Sequence, residues 1–339
     1  MAALTTGVRT LADIAKGWDP NGSLAKDVEL LDVSNQVLQD EPWMEGNLPN
    51  GHRYTSRTSL PTISWRILNA GITPGKSTKA QAQETTGLME AWSEVDVKVA
   101  ALNGNLAAER LSEATAFLQA MNQEQASVLW YGNAGVNPEK YTGFSPRYAS
   151  IAGANGQNII DGGGTATSNM SIWLIGWGEN SVTGIYPKGS TAGLQHNDFG
   201  AQTILTDSSG GIGTGRMRVY QEQFTWECGL VVKDWRYVVR ICNIDATKLV
   251  AENTPTDLTN KMMRACARLG VNGNGQDTSR AVFYMNRTAF EMLGIQRRND
   301  VRTGGQLSYD VVDGKWTPSF MGIPIRRSDA LLNTEARVV

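Results

Sequence analysis

From Asn105 to Trp130, apolar residues return at alternating steps of four and three: Ala107, Leu111, Ala114, Leu118, Met121 and Val128. That is the spacing of one face of an α-helix, with Phe117 and Leu129 beside it. At 1.5 Å of rise per residue the helix spans roughly 39 Å, the width of a small domain. Any fold this chain adopts must therefore be built along it. Asn105 suits the N-cap, and Gly132 suits the position just past the end.

The segment before the helix, residues 52–102, reads as a two-stranded excursion. Tyr54 to Leu68 is rich in Thr, Ile and Trp, as strands are. Gly71-Ile72-Thr73-Pro74-Gly75-Lys76 predicts the turn, and Ser77 to Thr86 is polar. Glu94-Val95-Asp96-Val97-Lys98-Val99 alternates charged and apolar residues, predicting the return strand. Two strands alone are marginal in water, so a long hairpin with a polar middle implies a surface to lie on, its own domain or another's. Residues 1–51 read as an arm. It has a short amphipathic helix near Leu11, a stop at Trp18-Asp19-Pro20-Asn21-Gly22 and a helical stretch from Ala25 to Leu38. An irregular path through Glu41-Pro42-Trp43-Met44 and Leu48-Pro49-Asn50-Gly51 follows.

Beyond the helix the composition shifts. Residues 151–167 are nearly all Gly, Asn, Ala and Thr. Ser171-Ile172-Trp173-Leu174-Ile175-Gly176-Trp177-Gly178 predicts a buried strand, and Val182 to Ser190 its hairpin partner. The last third is α+β. Strands are expected over Arg216–Lys233, Tyr237–Ile244 and Ala281–Met285. Leu258, Met262, Ala265 and Leu269 predict a helix ended by Gly270, and Thr288-x-x-Glu291 is a capping box for another that Gly294 ends.

Chemistry is hard to place on this chain. It has two histidines, His52 and His196, far apart and each read as a solvated loop residue, so neither a metal cluster nor a Ser/His/Asp set can be assembled. No Gly-x-Ser-x-Gly elbow occurs. Gly211-Ile212-Gly213-Thr214-Gly215 precedes a strand rather than opening a helix, and Val271-Asn272-Gly273-Asn274-Gly275 follows one. Neither carries the Gly-Lys-Ser/Thr ending of a phosphate loop. Cys228, Cys242 and Cys266 fit no zinc or redox spacing and read as small buried hydrophobes in a reducing compartment. Catalytic, cofactor and metal residues are accordingly expected to be none. No run of 18 apolar residues predicts a membrane helix, and Met1 to Gly7 lacks the pattern of a secretory signal. Lys+Arg 31 against Asp+Glu 33 leaves a net charge of −2, so any nucleic-acid contact is local and weak. Lys261, Arg264 and Arg268, on the polar face of their helix, are the candidates for it; a solvated face is the plainer reading.

This order of parts resembles the major capsid proteins of tailed phages with the Hong Kong 97-type shell fold, in particular the shell subunits of epsilon-fifteen-like short-tailed phages. The motifs that carry the resemblance are Ile185-Tyr186-Pro187-Lys188-Gly189-Ser190, Trp226-Glu227-Cys228-Gly229-Leu230-Val231-Val232-Lys233-Asp234-Trp235-Arg236 and Phe320-Met321-Gly322-Ile323-Pro324-Ile325-Arg326-Arg327-Ser328-Asp329, in that order. The resemblance implies an α+β chain divided into five parts. They are an N-terminal arm (1–51), an extended loop (52–102), a peripheral domain with its spine helix (103–150, helix 105–130), an axial domain (151–215) and a return to the peripheral domain (216–339). The resemblance also allows part of the axial domain to lie within 254–300. It implies a structural, non-enzymatic protein that assembles with itself as hexamers and pentamers into an icosahedral head around double-stranded DNA. Its partners would be a portal protein, a separate scaffolding protein and a decoration protein, with weak contact to packaged DNA, no membrane and no cofactor. Assembly would take place in the host bacterial cytoplasm. Trp65 and Trp92 are the candidate packing anchors between subunits, with Pro74, Gly75 and Lys76 at the hairpin tip. No Lys–Asn crosslink is expected from Lys76 or Lys79. The rival classes are a receptor-binding adhesin, suggested by the Gly- and Trp-rich β region, and a carbohydrate hydrolase using a pair of its acids.

Overall fold

The computed structural model describes residues 35–101, 106–206, 215–252, 255–269, 280–299, 307–312 and 315–339. The expected helix near Leu11, the Trp18–Gly22 stop, the Asn105 cap, Gly270 and the two glycine-rich loops at 210–214 and 271–275 lie outside these residues. In chain order the strands are β1 (Trp43–Glu45), β2 (Gly51–Ser59), β3 (Thr78–Asp96), β4 (Ile159–Asp161), β5 (Asn169–Trp177), β6 (Val182–Tyr186) and β7 (Leu194–Thr206). They continue with β8 (Gly215–Val232), β9 (Val238–Asp245), β10 (Arg280–Met285), β11 (Leu307–Val312), β12 (Lys315–Phe320) and β13 (Ile323–Arg327). The helices are α1 (Val37–Asp40), α2 (Val97–Ala101), α3 (Leu106–Tyr131), α4 (Phe144–Arg147), α5 (Ala246–Val250), α6 (Leu258–Arg268) and α7 (Arg287–Asn299).

The chain forms two compact units. The larger comprises Ser34–Gly87, Ser127–Ala192 and Cys228–Val339. Its centre is β5, whose nine residues are all buried. Side chains alternate across a strand, so burying every position requires cover on both faces. On one face Met170, Ile172 and Leu174 join Val239, Ile241, Phe283 and Met285 beneath Leu258, Met262 and Ala265 of α6 and Ala289, Met292 and Leu293 of α7. On the other, Trp173 packs against Trp130, Phe144 and Tyr148, with ring centroids 5.8, 5.8 and 5.9 Å away. Trp130 also meets Tyr284 at 5.7 Å. Some polar atoms of this cluster are satisfied: Trp177 Nε1 donates to Tyr284 OH at 2.8 Å, and Tyr284 OH donates to Asp40 Oδ2 at 3.0 Å, whereas Trp173 Nε1 is buried without a hydrogen-bond partner.

Neighbouring strands complete the sheet. β9 and β10 flank β5 antiparallel; β4 lies parallel on β9, and β13 parallel on β10. β12 and β11 follow β13 as antiparallel neighbours. Met321 and Gly322, at φ +52° and +79°, make the two-residue turn from β12 into β13, as a hairpin with primed turn geometry requires.

Several expectations need correction. Val182–Tyr186 is not the hairpin partner of β5, which it meets only at Trp177↔Val182; it pairs with β8 antiparallel and with β1 parallel. β1 itself makes part of the expected irregular path a strand, with Pro42 just ahead of it, where a missing N–H costs nothing. Of the helix expected over Ala25–Leu38, the described end holds an isolated bridge at Asn35 and then α1. α7 is capped by Asn286, whose Oδ1 accepts from Ala289 N at 2.8 Å, rather than by Thr288, and it runs through Gly294. Gly132 does not take a left-handed conformation. A side chain there would meet the carbonyl oxygens of Val128 and Tyr141 at 2.6 Å, so close approach is what demands glycine.

The C-terminal segment is sewn into this unit by buried charge. Arg240 Nη2 reaches Glu335 Oε2 at 2.9 Å, its Nε donates to Ser171 Oγ, and its guanidinium lies 5.0 Å over the Trp173 ring. Ser171 Oγ also donates to Glu335, and Tyr131 OH donates to Glu335 Oε1 at 2.6 Å. Asn243, at φ +54°, exchanges hydrogen bonds with the backbone of Val338.

The smaller unit contains Leu88–Ala126 and Gly193–Glu227. β7 and β8 form a long antiparallel ladder from Leu194↔Trp226 to Thr206↔Gly215, with a bulge at Asp198–Gly200. α3 lies on this ladder through Arg110 and Phe117. Phe117 stacks on Phe224, and Arg110 binds Glu222 and Asp198 while lying 5.2 Å over the Tyr220 ring. The apolar stripe expected to face the core is therefore split. Met121 is buried, but Leu111 and Leu118 are 69% and 41% exposed. A charged residue, Arg110, takes the inward position because two acids on the ladder receive it.

Removing one partner of a buried ion pair leaves the other uncompensated and costs about 3–5 kcal/mol. Arg240→Met is expected to lower stability by that amount in urea unfolding. Adding Glu335→Gln should recover a substantial part of the loss.

Candidate functional site

The hairpin is bolted at its root and open beyond it. β2 and β3 pair from Gly51↔Thr85 to Ser59↔Thr78. At the root, Arg147 grips Glu84 with two parallel bonds of 2.6 and 2.7 Å and also donates to the carbonyl of Thr142. This fork is the strong form of a charge-assisted contact. Tyr54 OH donates to Val232 O at 3.0 Å, and a side chain at Gly51 would strike the Glu84 carbonyl.

Regular pairing stops at Ser59, short of the expected strand end at Leu68. The turn lies at Ile67–Ala70, where Ala70 N donates to Ile67 O and Asn69 adopts φ +69°, rather than at Gly71–Lys76. The chain then runs back beside itself, close enough that a side chain at Gly75 would lie 2.9 Å from Thr62 O. Leu60, Ile63, Trp65, Ile67 and Leu68 all stand in solvent, Trp65 completely. Pro74, Gly75 and Lys76 are exposed with them. Exposed apolar side chains in this number are what a contact surface requires.

The return strand differs from its expectation as well. β3 runs unbroken from Thr78 to Asp96, and the alternation seen at 94–99 ends there. Asp96 Oδ1 accepts from Lys98 N at 2.7 Å and caps α2 instead. Trp92 stacks on Phe199 with centroids 5.6 Å apart, and both rings remain more than 40% exposed.

Reactive constellations are not found among the described residues. No group of three or more His, Cys, Asp or Glu could hold a metal ion there. The histidines lie on strands, not loops. His196 on β7 stacks on Phe224 and meets Glu222 at 3.0 Å, while His52 on β2 has its pKa lowered by burial and then by Lys233. Cys228 and Cys242 are buried and Cys266 partly so. Burial pushes the Cys242 and Cys266 thiols up to about 11, the opposite of an activated nucleophile. On α6, Lys261 donates to Asp161 O and Arg268 to Ile159 O, which leaves Arg264 as the outward cation of the three.

A family model for the major capsid protein GP7 matches residues 19–339. The chain belongs to that family. Its structure is similar to that of bacteriophage Epsilon15 with a TM-score of 0.79 and 32% identity, covering 100% of this chain and 99% of that one. It is also similar to the capsid of bacteriophage JBD30, with a TM-score of 0.45 and 12% identity over 97% of both chains. No curated protein matches the sequence. The fold is the Hong Kong 97-type capsid fold, and the protein is a structural component of an icosahedral phage shell. Neither the adhesin nor the hydrolase reading finds support. In a capsid protein, the open hairpin and the Trp92–Phe199 stack become the places where assembly chemistry is to be sought.

One buried acid has a measurable signature. Both oxygens of Glu41 are buried without a hydrogen-bond partner, packed where a side chain on Gly184 would otherwise sit. Burial raises its pKa from 4.5 to about 8. The folded state thus holds a proton that the unfolded state releases, so stability falls as pH rises from about 4.5 to about 8 and then levels. Glu41→Gln should be insensitive to this drift. Urea midpoints at pH 5, 7 and 9 are expected to show the variant gaining on the parent at each step.

Proposed function

We propose that this chain is the subunit from which hexamers and pentamers of the phage head are built around double-stranded DNA, with the hairpin at 60–77 supplying contacts between subunits. The observation that carries this reading is the cluster of Leu60, Ile63, Trp65, Ile67 and Leu68, left uncovered on a hairpin whose root is fixed by the Arg147–Glu84 fork. Burying apolar surface stabilises by roughly 25 cal/mol per Å², so leaving five such residues in water is sustainable when a neighbour covers them. Repetition of a modest contact over a closed shell then makes the whole stable. The parts of the chain take family roles: arm (1–51), extended loop (52–102), spine-helix segment (103–150), axial domain (151–215) and returning peripheral segment (216–339). A portal, a separate scaffolding protein and a decoration protein complete the head, assembled in the host cytoplasm. No catalytic step belongs to the subunit.

Trp65→Ala and Trp92→Ala are expected to leave the chain folded and soluble while cutting the yield of shells about tenfold or more, as loss of a central aromatic anchor does. Shells counted by negative-stain electron microscopy at wild-type yield in both variants would refute the assignment.

Arg264, with charge lent by Lys261 and Arg268, is the proposed contact to packaged DNA, made through phosphates and without sequence preference. An Arg264→Ala, Arg268→Ala double variant should retain DNA less firmly when heads are challenged with salt. Unchanged retention would leave α6 with a purely structural role.

A further inference from the structure

The charge on the hairpin is as uneven as its exposure. Between Gly46 and Gln83 the chain carries five cations, Arg53, Arg57, Arg66, Lys76 and Lys79, and no Asp or Glu. With the whole chain at −2, all other residues together sum to −7. Within the hairpin this charge works against pairing, because Arg57 and Lys79 stand directly opposite one another, an arrangement that destabilises a ladder. Such a loop is relieved by an acidic surface, and it needs an apolar one for Trp65 and its neighbours.

The smaller unit presents such a surface. One face of its strands is taken by α3, through Glu222, Phe224 and Tyr220. The positions that alternate with these carry Leu88, Glu90, Trp92 and Glu94 on β3 and Gln221 and Gln223 on β8. Gln221 Nε2 donates to Glu94 Oε1 at 3.0 Å, and Gln223 Nε2 to Glu90 Oε1 at 2.6 Å, which holds both carboxylates in place. Between them the stacked rings of Trp92 and Phe199 form an exposed apolar step, with Leu88 exposed beside it. None of these positions is basic.

We infer that the occupant of this sheet face is the 60–77 loop of a second copy of the chain, its apolar residues on the Trp92–Phe199 step and its cations against Glu90 and Glu94. The inference rests on the shell reading above and adds the receiving surface and the force that selects it. Electrostatic complementarity of this kind chiefly sets encounter rate and register, and like charges brought together there are rejected. Assembly should therefore slow as salt rises.

The test is a charge exchange in the full chain. Arg66→Glu with Lys76→Glu, and separately Glu90→Lys with Glu94→Lys, are each expected to reduce the particle yield about tenfold or more by electron microscopy and sedimentation. The chain carrying all four substitutions should recover most of that yield, because it restores opposite signs with the polarity reversed. Circular dichroism and urea unfolding check that each variant is folded. A second measurement needs no such recovery: Trp65→Cys combined with Phe199→Cys should give disulfide-linked oligomers in oxidised particles, whereas either substitution alone should not. Charge reversals that assemble normally, or a four-fold variant that stays impaired, overturn the pairing and leave the shell reading standing. A wild-type chain that forms no particles or rings at any salt overturns both.

Discussion

The larger unit depends on one strand with two hidden faces. β5 can bury all nine of its residues only because helices close one side and an aromatic cluster closes the other. That demand fixes what surrounds it. α6 and α7 must present Leu, Met and Ala toward the strand. The last turn of α3 must deliver Trp130 to the opposite face, where its Nε1 donates to Ser328 Oγ. Glycine at 143 follows from the same crowding, because a side chain there would lie 2.5 Å from the carbonyl oxygens of Val128 and Leu129. Asp40, held by Tyr284 OH, Arg280 and Arg326, ties the early chain to this face.

The features legible in the sequence were those with an apolar rhythm. The run from Ile172 to Trp177 announces a buried strand, Leu258 to Leu269 a helix, and the span of α3 is found to within a residue at either end. What escaped was set by polar partners. β7 reads Leu-Gln-His-Asn-Asp-Phe-Gly-Ala-Gln-Thr across most of its length, and no apolar alternation marks it; it is a strand because β8 offers it a ladder. The inward face of α3 was missed because Arg110 occupies it, and two acids 88 and 112 residues further along the chain make that possible. The end of β3 was missed because Asp96 caps α2, a choice that alternation cannot signal. At the candidate site, the Thr-, Ile- and Trp-rich hairpin and the family resemblance pointed to Trp65 and Trp92, whereas Phe199 emerged only when a bulge in β7 brought it onto Trp92.

Within the larger unit the work of a shell subunit is divided in physical terms. Its body is closed on itself by buried rings and ion pairs, so its stability owes little to neighbours. The hairpin is the reverse: rigid where Glu84 meets Arg147, self-repelling where Arg57 meets Lys79, and apolar where it meets water. A subunit can be soluble alone and still gain by association only if those properties are kept apart in this way. In the proposed contact the cations and the apolar residues lie on the same short loop, so its strength and its register would be set together.

The clasp between Ser171, Arg240 and Glu335 joins residues 164 positions apart at its widest. β5 therefore leaves the ribosome long before β9 and β10 can pair with it, and longer still before the carboxylate that completes its polar surroundings. Contacts so distant in sequence are expected to form slowly. A nascent chain thus carries its hairpin long before its body can close.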